Sequence, residues 1–402
     1  MTPSSNGPEL GLSVTPSDLY LDAAATTPPL QSVIDCINAV QRDAWGNPSS
    51  LHGTGLVAAE RLARSRQVIA GLFNAKDDEL IFTSGATESV HLALLGVAAG
   101  RPPGRLVISA VEHPALEGAA AQLEQSGWMV DRWPVDATGL IRLELMDQLL
   151  APPTTLVSLI WGQSEVGTVQ PVPLVASACR EREIPFHTDA TQVIPQGLLD
   201  WSASSIDLLT FSSHKLQGPR GVGVLLHRPG LLAQPLLSGG GQEGGHRAGT
   251  EPVALIAGLA LAMQQLPRFN PERSLPPGST PQIRSMRDRL QSQLAAIPSL
   301  TVINATEQQR LPHHLACLIG DSNGHPLSGR RLVQQLSRLG LACSSGSACR
   351  SGQAQDSAVL TAMDVPPNWR QSLLRFSLGP WLTNDDLELV PRLLSQAIEA
   401  CT

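Results

Sequence analysis

Between about residues 80 and 226 the chain alternates short apolar runs with longer helical stretches, and few architectures accept that rhythm. The runs are Leu80–Thr83, Leu106–Ser109, Leu156–Ile160, Ile184–Thr188, Leu208–Phe211 and Val222–Leu226. None alternates strictly between apolar and polar residues, which is the pattern of strands buried on both faces. The prediction is an α/β fold: a mainly parallel sheet with helices on either side. Polar or Gly-rich segments follow most runs, and in such sheets ligand groups gather at the carboxyl ends of the strands.

A length of 402 residues suggests two or three domains. The apolar helical run Val253–Met263 leads into Pro267, Pro271, Pro276, Pro277 and Pro281, which reads as a boundary. Helices resume near Ile283. Helical patterns at Arg287–Ala296, Gly329–Leu339 and Asp385–Ala400 mix with strand-like runs at Thr301–Asn304 and Leu373–Leu378, predicting a smaller α+β domain.

Hydrophobic residues at 42% and charged residues at 16% supply a large core and exclude global disorder. A net charge of −7 argues against nucleic acid or an anionic membrane as partner. The run Val253–Met263 is too short for the roughly 20 residues of a membrane span. The first basic residue is Arg42, so no secretory or transit leader is expected. The cysteines (Cys36, Cys179, Cys317, Cys343, Cys349, Cys401) form no CxxC pair and no disulfide framework. The expectation is a cytoplasmic protein in a reducing compartment, with no metal site.

The basic residues carry one sharp signal. Lys and Arg total 28, yet lysine occurs only at Lys76 and Lys215. Lys76 lies in the polar turn Asn74–Glu79, whereas Lys215 closes Ser212-Ser213-His214-Lys215 directly after an apolar strand. An amine can lose its proton and condense with a carbonyl; a guanidinium cannot.

Four other polar clusters stand at predicted strand ends. Thr83-Ser84-Gly85-Ala86-Thr87-Glu88-Ser89 turns into a helix whose free N–H groups suit a phosphate, although an ordinary helix cap uses the same residues. Glu112-His113-Pro114 follows the next strand, where a structural histidine is the plainer reading. His187-Thr188-Asp189-Ala190-Thr191-Gln192 puts a carboxylate at a buried strand end, where a protonated ring nitrogen would suit it and a helix cap would equally explain it. Ser344–Gly352 surrounds the thiol of Cys349 with small polar residues, unlike the setting of a core cysteine. Together the clusters ask for a cofactor with a phosphate, a basic ring nitrogen and an aldehyde, and pyridoxal 5'-phosphate has all three.

The chain also resembles the cysteine desulfurases of the NifS/IscS kind, fold-type I pyridoxal-phosphate enzymes of the class-V aminotransferase group. The matching stretches include Tyr20–Pro28, Gly46–Ser50, Thr83–Ser89, Glu112-His113, His187–Gln192, Ser212–Lys215 with Gly218–Gly221, Gly239–Glu243, Arg247–Thr250, Ser344–Cys349 and Arg375–Gly379, in the family's order. The resemblance implies a large cofactor domain over residues 20–264. Residues 1–19 and 265–402 would form the small domain with the catalytic cysteine loop.

It also implies roles. Lys215 would hold the cofactor and move the substrate Cα proton, Asp189 would pair with the ring nitrogen, His113 would stack on the ring, and Gln192 would bond its hydroxyl. Ala86, Thr87, Ser212 and His214 would hold the phosphate, and Thr250 would reach the phosphate of a neighbouring subunit in a homodimer. Arg375 would grip the carboxylate of L-cysteine. Cys349 would take the sulfur as a persulfide, release L-alanine, and pass the sulfur to an acceptor such as an iron–sulfur scaffold protein. Ser164, in Gln163-Ser164-Glu165, stands at the family's second Asn beside the ring hydroxyl. Cys343 reads as a buried thiol, with a disulfide to Cys349 or sulfur acceptance as alternatives, and His313-His314 as a solvated loop pair. Two further readings remain at this point. One is a C–S lyase acting on cystine, cysteine or selenocysteine without Cys349; the other is a catalytically weak sulfur-relay relative.

Overall fold

A computed structural model describes residues 19–267, 281–346 and 356–402. After the short β1 (Leu19–Tyr20) come helices α1 (Gln31–Asp43) and α2 (Gly53–Phe73), and then the main sheet begins. Its strands are β2 (Leu80–Thr83), β3 (Arg105–Ser109), β4 (Met129–Trp133), β5 (Thr154–Ile160), β6 (Phe186–Asp189), β7 (Leu208–Ser212) and β8 (Gly223–His227). Interleaved are α3 (Ala86–Ala98), α4 (Pro114–Gln125), α5 (Met146–Leu150) and α6 (Val172–Glu181), with α7 (Val253–Met263) after the last strand.

The seven strands lie in the order β2-β8-β7-β6-β5-β3-β4. From β4 to β7 the pairs are parallel, and β8 is antiparallel to both β7 and β2. One face packs Ile108, Leu156, Leu208 and Leu225 against α3 and α4; the other packs Val107, Val157, Leu209 and Phe211 among residues of α2, α6 and α7. Burial on both sides explains the unbroken apolar runs. The strand β4 was not foreseen. It lies at the sheet edge, with Met129 and Arg132 exposed, so its sequence lacks the continuous apolar signal.

The second core is built on β9 (Leu300–Val302), β10 (His314–Ile319), β11 (Leu341–Ala342) and β12 (Leu373–Ser377), with α8 (Pro281–Leu294), α9 (Gly329–Arg338), α10 (Ala358–Ala362) and α11 (Asn384–Glu399). β10 is the centre of an antiparallel three-stranded sheet, β12-β10-β9, while β1 pairs with β11. Here a sequence expectation is corrected. His313 and His314 are not a solvated pair: they are 4% and 0% exposed, and His314 opens the central strand. Burial with Arg375 nearby pushes both imidazoles below their usual range, His313 to about 3.

The other edge of the main sheet, β2, is closed by side chains instead of a strand. Glu243 accepts the Phe82 amide (2.8 Å), Arg66 donates to the Leu80 carbonyl (2.5 Å), and the two side chains pair with each other at 2.5 Å. Arg66 also covers the Phe82 ring, 4.7 Å from its centroid. The unpaired backbone of an edge strand is thereby satisfied by one ion pair. The Glu243 side chain is only 1% exposed, so removing Arg66 strands a buried charge. Arg66→Ala is expected to lower stability by about 3–5 kcal/mol, read as a fall in the melting temperature; an unchanged melting curve would deny the pair this role.

Candidate active site

Most of the singled-out groups do converge at the carboxyl ends of the parallel strands. Asp189 ends β6, Ser212 ends β7, Lys215 follows in a short 3-10 turn, and Glu112-His113 lies in the loop after β3. Asp189 is 5% exposed. One of its oxygens accepts the Thr191 amide at 3.0 Å; the other has no hydrogen-bond partner among the described residues.

Lys215 is tied to the strap Asp22–Thr27 that crosses the site. Its Nζ donates to the carbonyls of Ala24 (2.6 Å) and Ala25 (2.7 Å). The Gln192 side chain donates to the same Ala24 carbonyl at 2.9 Å. Thr27 donates from both its amide and its hydroxyl to the His214 carbonyl. Lys215 and Gln192 also line a cavity of about 230 Å³ behind the strap, with His313, Gln196 and Trp381 on its other walls.

The turn into α3 forms a second cluster. Gly85 caps the helix without a side-chain bond, and the amides of Ala86 and Thr87 have no acceptor among the described residues. A Cβ on Gly85 would meet only Ser212 Oγ, 3.9 Å away. The opposite wall is tight: a Cβ on Gly223 would stand 2.4 Å from the Gly85 carbonyl carbon, so β8 needs glycine there. Glu88 fixes the turn by accepting from Ser84 N (2.7 Å) and from Arg247 Nε (2.8 Å). Thr250 is exposed, and no hydrogen bond joins it to the cluster.

Protonation states follow from burial. His113 Nδ1 accepts the Ala115 amide at 3.1 Å, which leaves the ring proton on Nε2 when the imidazole is neutral. Burial, against the pull of Asp189, depresses its pKa. Burial, Lys215 and Arg220 bring His214 down to about 4. Below Asp189, His187 bridges β5 and β7 through Ser158 Oγ (2.6 Å) and Thr210 Oγ1 (3.2 Å), and burial holds it near 3.

Arg375, 5% exposed, pairs with Asp22 at 2.5 Å and donates to the Ser164 carbonyl at 2.9 Å; its buried Nε has no partner. Cys343 is 7% exposed beside them, and burial pushes its thiol up, the behaviour of a buried thiol. Cys349 lies outside the described residues. Sequence reasoning gave no role to Asp22 or Glu112. A lone acid beside an alanine run carries no local signal, and only the fold brings Arg375 to it.

Residues 19–390 match the aminotransferase class-V family. The chain belongs to that family. Among relatives of this class-V protein, the cysteine desulfurase NifS of Azotobacter vinelandii is 35% identical over 378 residues, spanning 94% of this chain and 91% of the relative. The cysteine desulfurase IscS of Methanosarcina thermophila is also 35% identical, over 94% and 92%. A solved structure described as SspA in complex with cysteine superposes with a TM-score of 0.77 at 30% identity, covering 90% of this chain and 99% of its own.

The class-V cofactor is pyridoxal phosphate, and the residues present fit it. One lysine amine, one carboxylate oxygen without a partner, and unbonded helix-start amides beside a hydroxyl supply partners for an aldehyde, a ring nitrogen and a phosphate.

Glu112 is the unexpected member. Its Oε1 accepts from Ser109 N, Ser109 Oγ and Ile160 N, pinning the ends of β3 and β5 together, while its buried Oε2 has no partner. Burial, with Asp189 nearby, raises its pKa from 4.5 to about 8. A carboxyl raised on folding binds its proton in the folded but not the unfolded state across that window, so it makes stability fall as pH rises from about 5 to 8. Glu112→Gln removes this slope. In the cofactor-free protein the variant's melting temperature relative to the parent should climb from pH 5 to 8; a constant difference would show an ionised Glu112.

Proposed function

We propose that this chain is a pyridoxal-phosphate-dependent cysteine desulfurase, converting L-cysteine to L-alanine and passing the sulfur through Cys349 to an acceptor protein such as an iron–sulfur scaffold. The observation that carries the reading is the match along more than nine-tenths of both chains to relatives named cysteine desulfurase. It comes together with the chain's one strand-end lysine, near Asp189 and His113.

When bound, the cofactor supplies an aldehyde for an amine and a ring that takes up electron density from the amino-acid Cα. Lys215 Nζ would hold the aldehyde end and would be the base that moves the proton at Cα. The unbonded Asp189 oxygen would keep the ring nitrogen protonated, His113 would stack on the ring, and Gln192 and Ser164 would serve the ring hydroxyl. Ala86, Thr87, Ser212 and the neutral His214 would hold the phosphate. Arg375, fixed by Asp22, orients the substrate carboxylate. The Cys349 thiolate attacks the substrate sulfur; the carbon–sulfur bond breaks, a proton fills the vacated Cβ position, and the persulfide remains on Cys349.

The reading extends to a homodimer in the cytoplasm, with residues 20–264 as the large domain and Thr250 reaching the partner's phosphate. What supports the dimer is apolar surface: Trp45 is 71% exposed, Leu51 91% and Leu56 54%, along the connection from α1 into α2. Leu51→Asp is therefore expected to shift the protein to a monomer in sedimentation, whereas an already monomeric parent would overturn this extension.

The test of activity uses the purified holoprotein with L-cysteine and a thiol reductant, following alanine and sulfide. Cys349→Ala should retain the cofactor's visible absorbance yet make no alanine, and Lys215→Ala should lose both the covalent cofactor and turnover. Alanine production that survives Cys349→Ala would favour a C–S lyase.

A further inference from the structure

The turn after β5 is a junction. Gln163 donates from Nε2 to the Val111 carbonyl (3.2 Å), close to His113, and its Oε1 receives the amides of Glu165 and Val166. The Ser164 carbonyl receives Arg375 (2.9 Å) and His314 (3.0 Å). The next side chain reaches the segment that carries the nucleophile.

Glu165 Oε2 accepts from Ser357 Oγ at 2.7 Å. Ser357 Oγ in turn accepts the Leu360 amide (3.1 Å) and caps α10. The same carboxyl oxygen lies near Gly346: a Cβ built there would stand 2.8 Å from Glu165 Oε2 and 2.3 Å from Leu373 Cδ2, so a larger residue would require these side chains to shift. Residues 346 and 357 flank the stretch that contains Cys349. One oxygen, carried in the turn after β5, thus bonds the residue-357 foot of that stretch and lies near the other.

We propose that Glu165 is a positioning residue for sulfur transfer: its bond to Ser357 ties the foot that follows the Cys349 segment to the turn after β5, which sets where that segment rejoins the fold. The inference rests on the desulfurase reading. A carboxylate suits the task because its bond to a hydroxyl is charge-assisted and short. The effect belongs to approach geometry, where a displacement near 1 Å can cost about 100-fold in rate. The cofactor contacts come from other residues, so they are expected to survive the loss of Glu165.

The experiment compares Glu165→Ala, Glu165→Gln and Ser357→Ala holoproteins with the parent. Cofactor absorbance and affinity should stay at parental values. For alanine formation Glu165→Ala should lower kcat about 10- to 100-fold with little change in KM, and Glu165→Gln, which keeps an acceptor for Ser357, should recover most of the loss. Combining Glu165→Ala with Ser357→Ala should cost no more than the worse single change, as expected for two partners in one contact. Independently of turnover, iodoacetamide labelling of Cys349, followed by peptide mass mapping, should quicken in Glu165→Ala and Ser357→Ala. Parental kcat and labelling in Glu165→Ala overturn the proposal, as does cofactor loss in proportion to kcat. A parent that makes no alanine defeats the desulfurase reading instead, and the labelling rates then decide the role of Glu165 alone.

Discussion

Two main-chain carbonyls, those of Ala24 and Ala25, receive the Lys215 ammonium, and the first also receives the Gln192 amide. From the other side, Ser377 Oγ in β12 accepts the Ala24 amide at 2.9 Å, and Asp22 pairs with Arg375 of the same strand. The strap Asp22–Thr27 is therefore bonded both by residues following the main sheet and by the smaller antiparallel sheet. It has almost no regular secondary structure of its own, so its backbone groups need these partners once buried. Lysine and arginine in turn take their positions from it. The distance between amine and guanidinium is set by a piece of main chain that neither sheet could shift alone.

Around the strap, burial sorts the charges. His113, His187, His214, His313 and His314 are all pushed toward the neutral form, and Glu112 toward the protonated one. Desolvation is the largest cause in each case. Asp189, Lys215 and the Asp22–Arg375 pair face the same region, the acid of the pair itself raised by burial and drawn back by the arginine. In such a setting the histidines and Glu112 add little charge to compete for a cofactor or an amino acid. An amine, a carboxylate and a guanidinium placed this sparingly act with little screening from one another's neighbours.

Much of this was legible beforehand. Apolar runs without alternation announced the buried strands, and the scarcity of lysine isolated Lys215. What escaped had a physical reason in each case. β4 is an edge strand with one wet side. β10 opens on His314, directly preceded by His313, a residue type that reads as polar until the burial of both is seen. Asp22, Glu112 and Glu165 act on partners distant in sequence (Arg375, Ile160 and Ser357), and no local pattern encodes a contact that only the fold creates.

The serine at position 164 then becomes intelligible. Its side-chain oxygen has no hydrogen-bond partner among the described residues, whereas its main-chain carbonyl holds both Arg375 and His314. Gln163 shapes the turn through its amide, and Glu165 reaches outward to Ser357. The carbonyl of residue 164 would be offered by any residue that adopts the turn, since its geometry is fixed by the neighbours. The junction that positions the guanidinium therefore depends on the main chain of residue 164 and not on its side chain. Among the side chains of the turn, it depends less on that at position 164 than on that of Gln163, whose amide holds the turn itself.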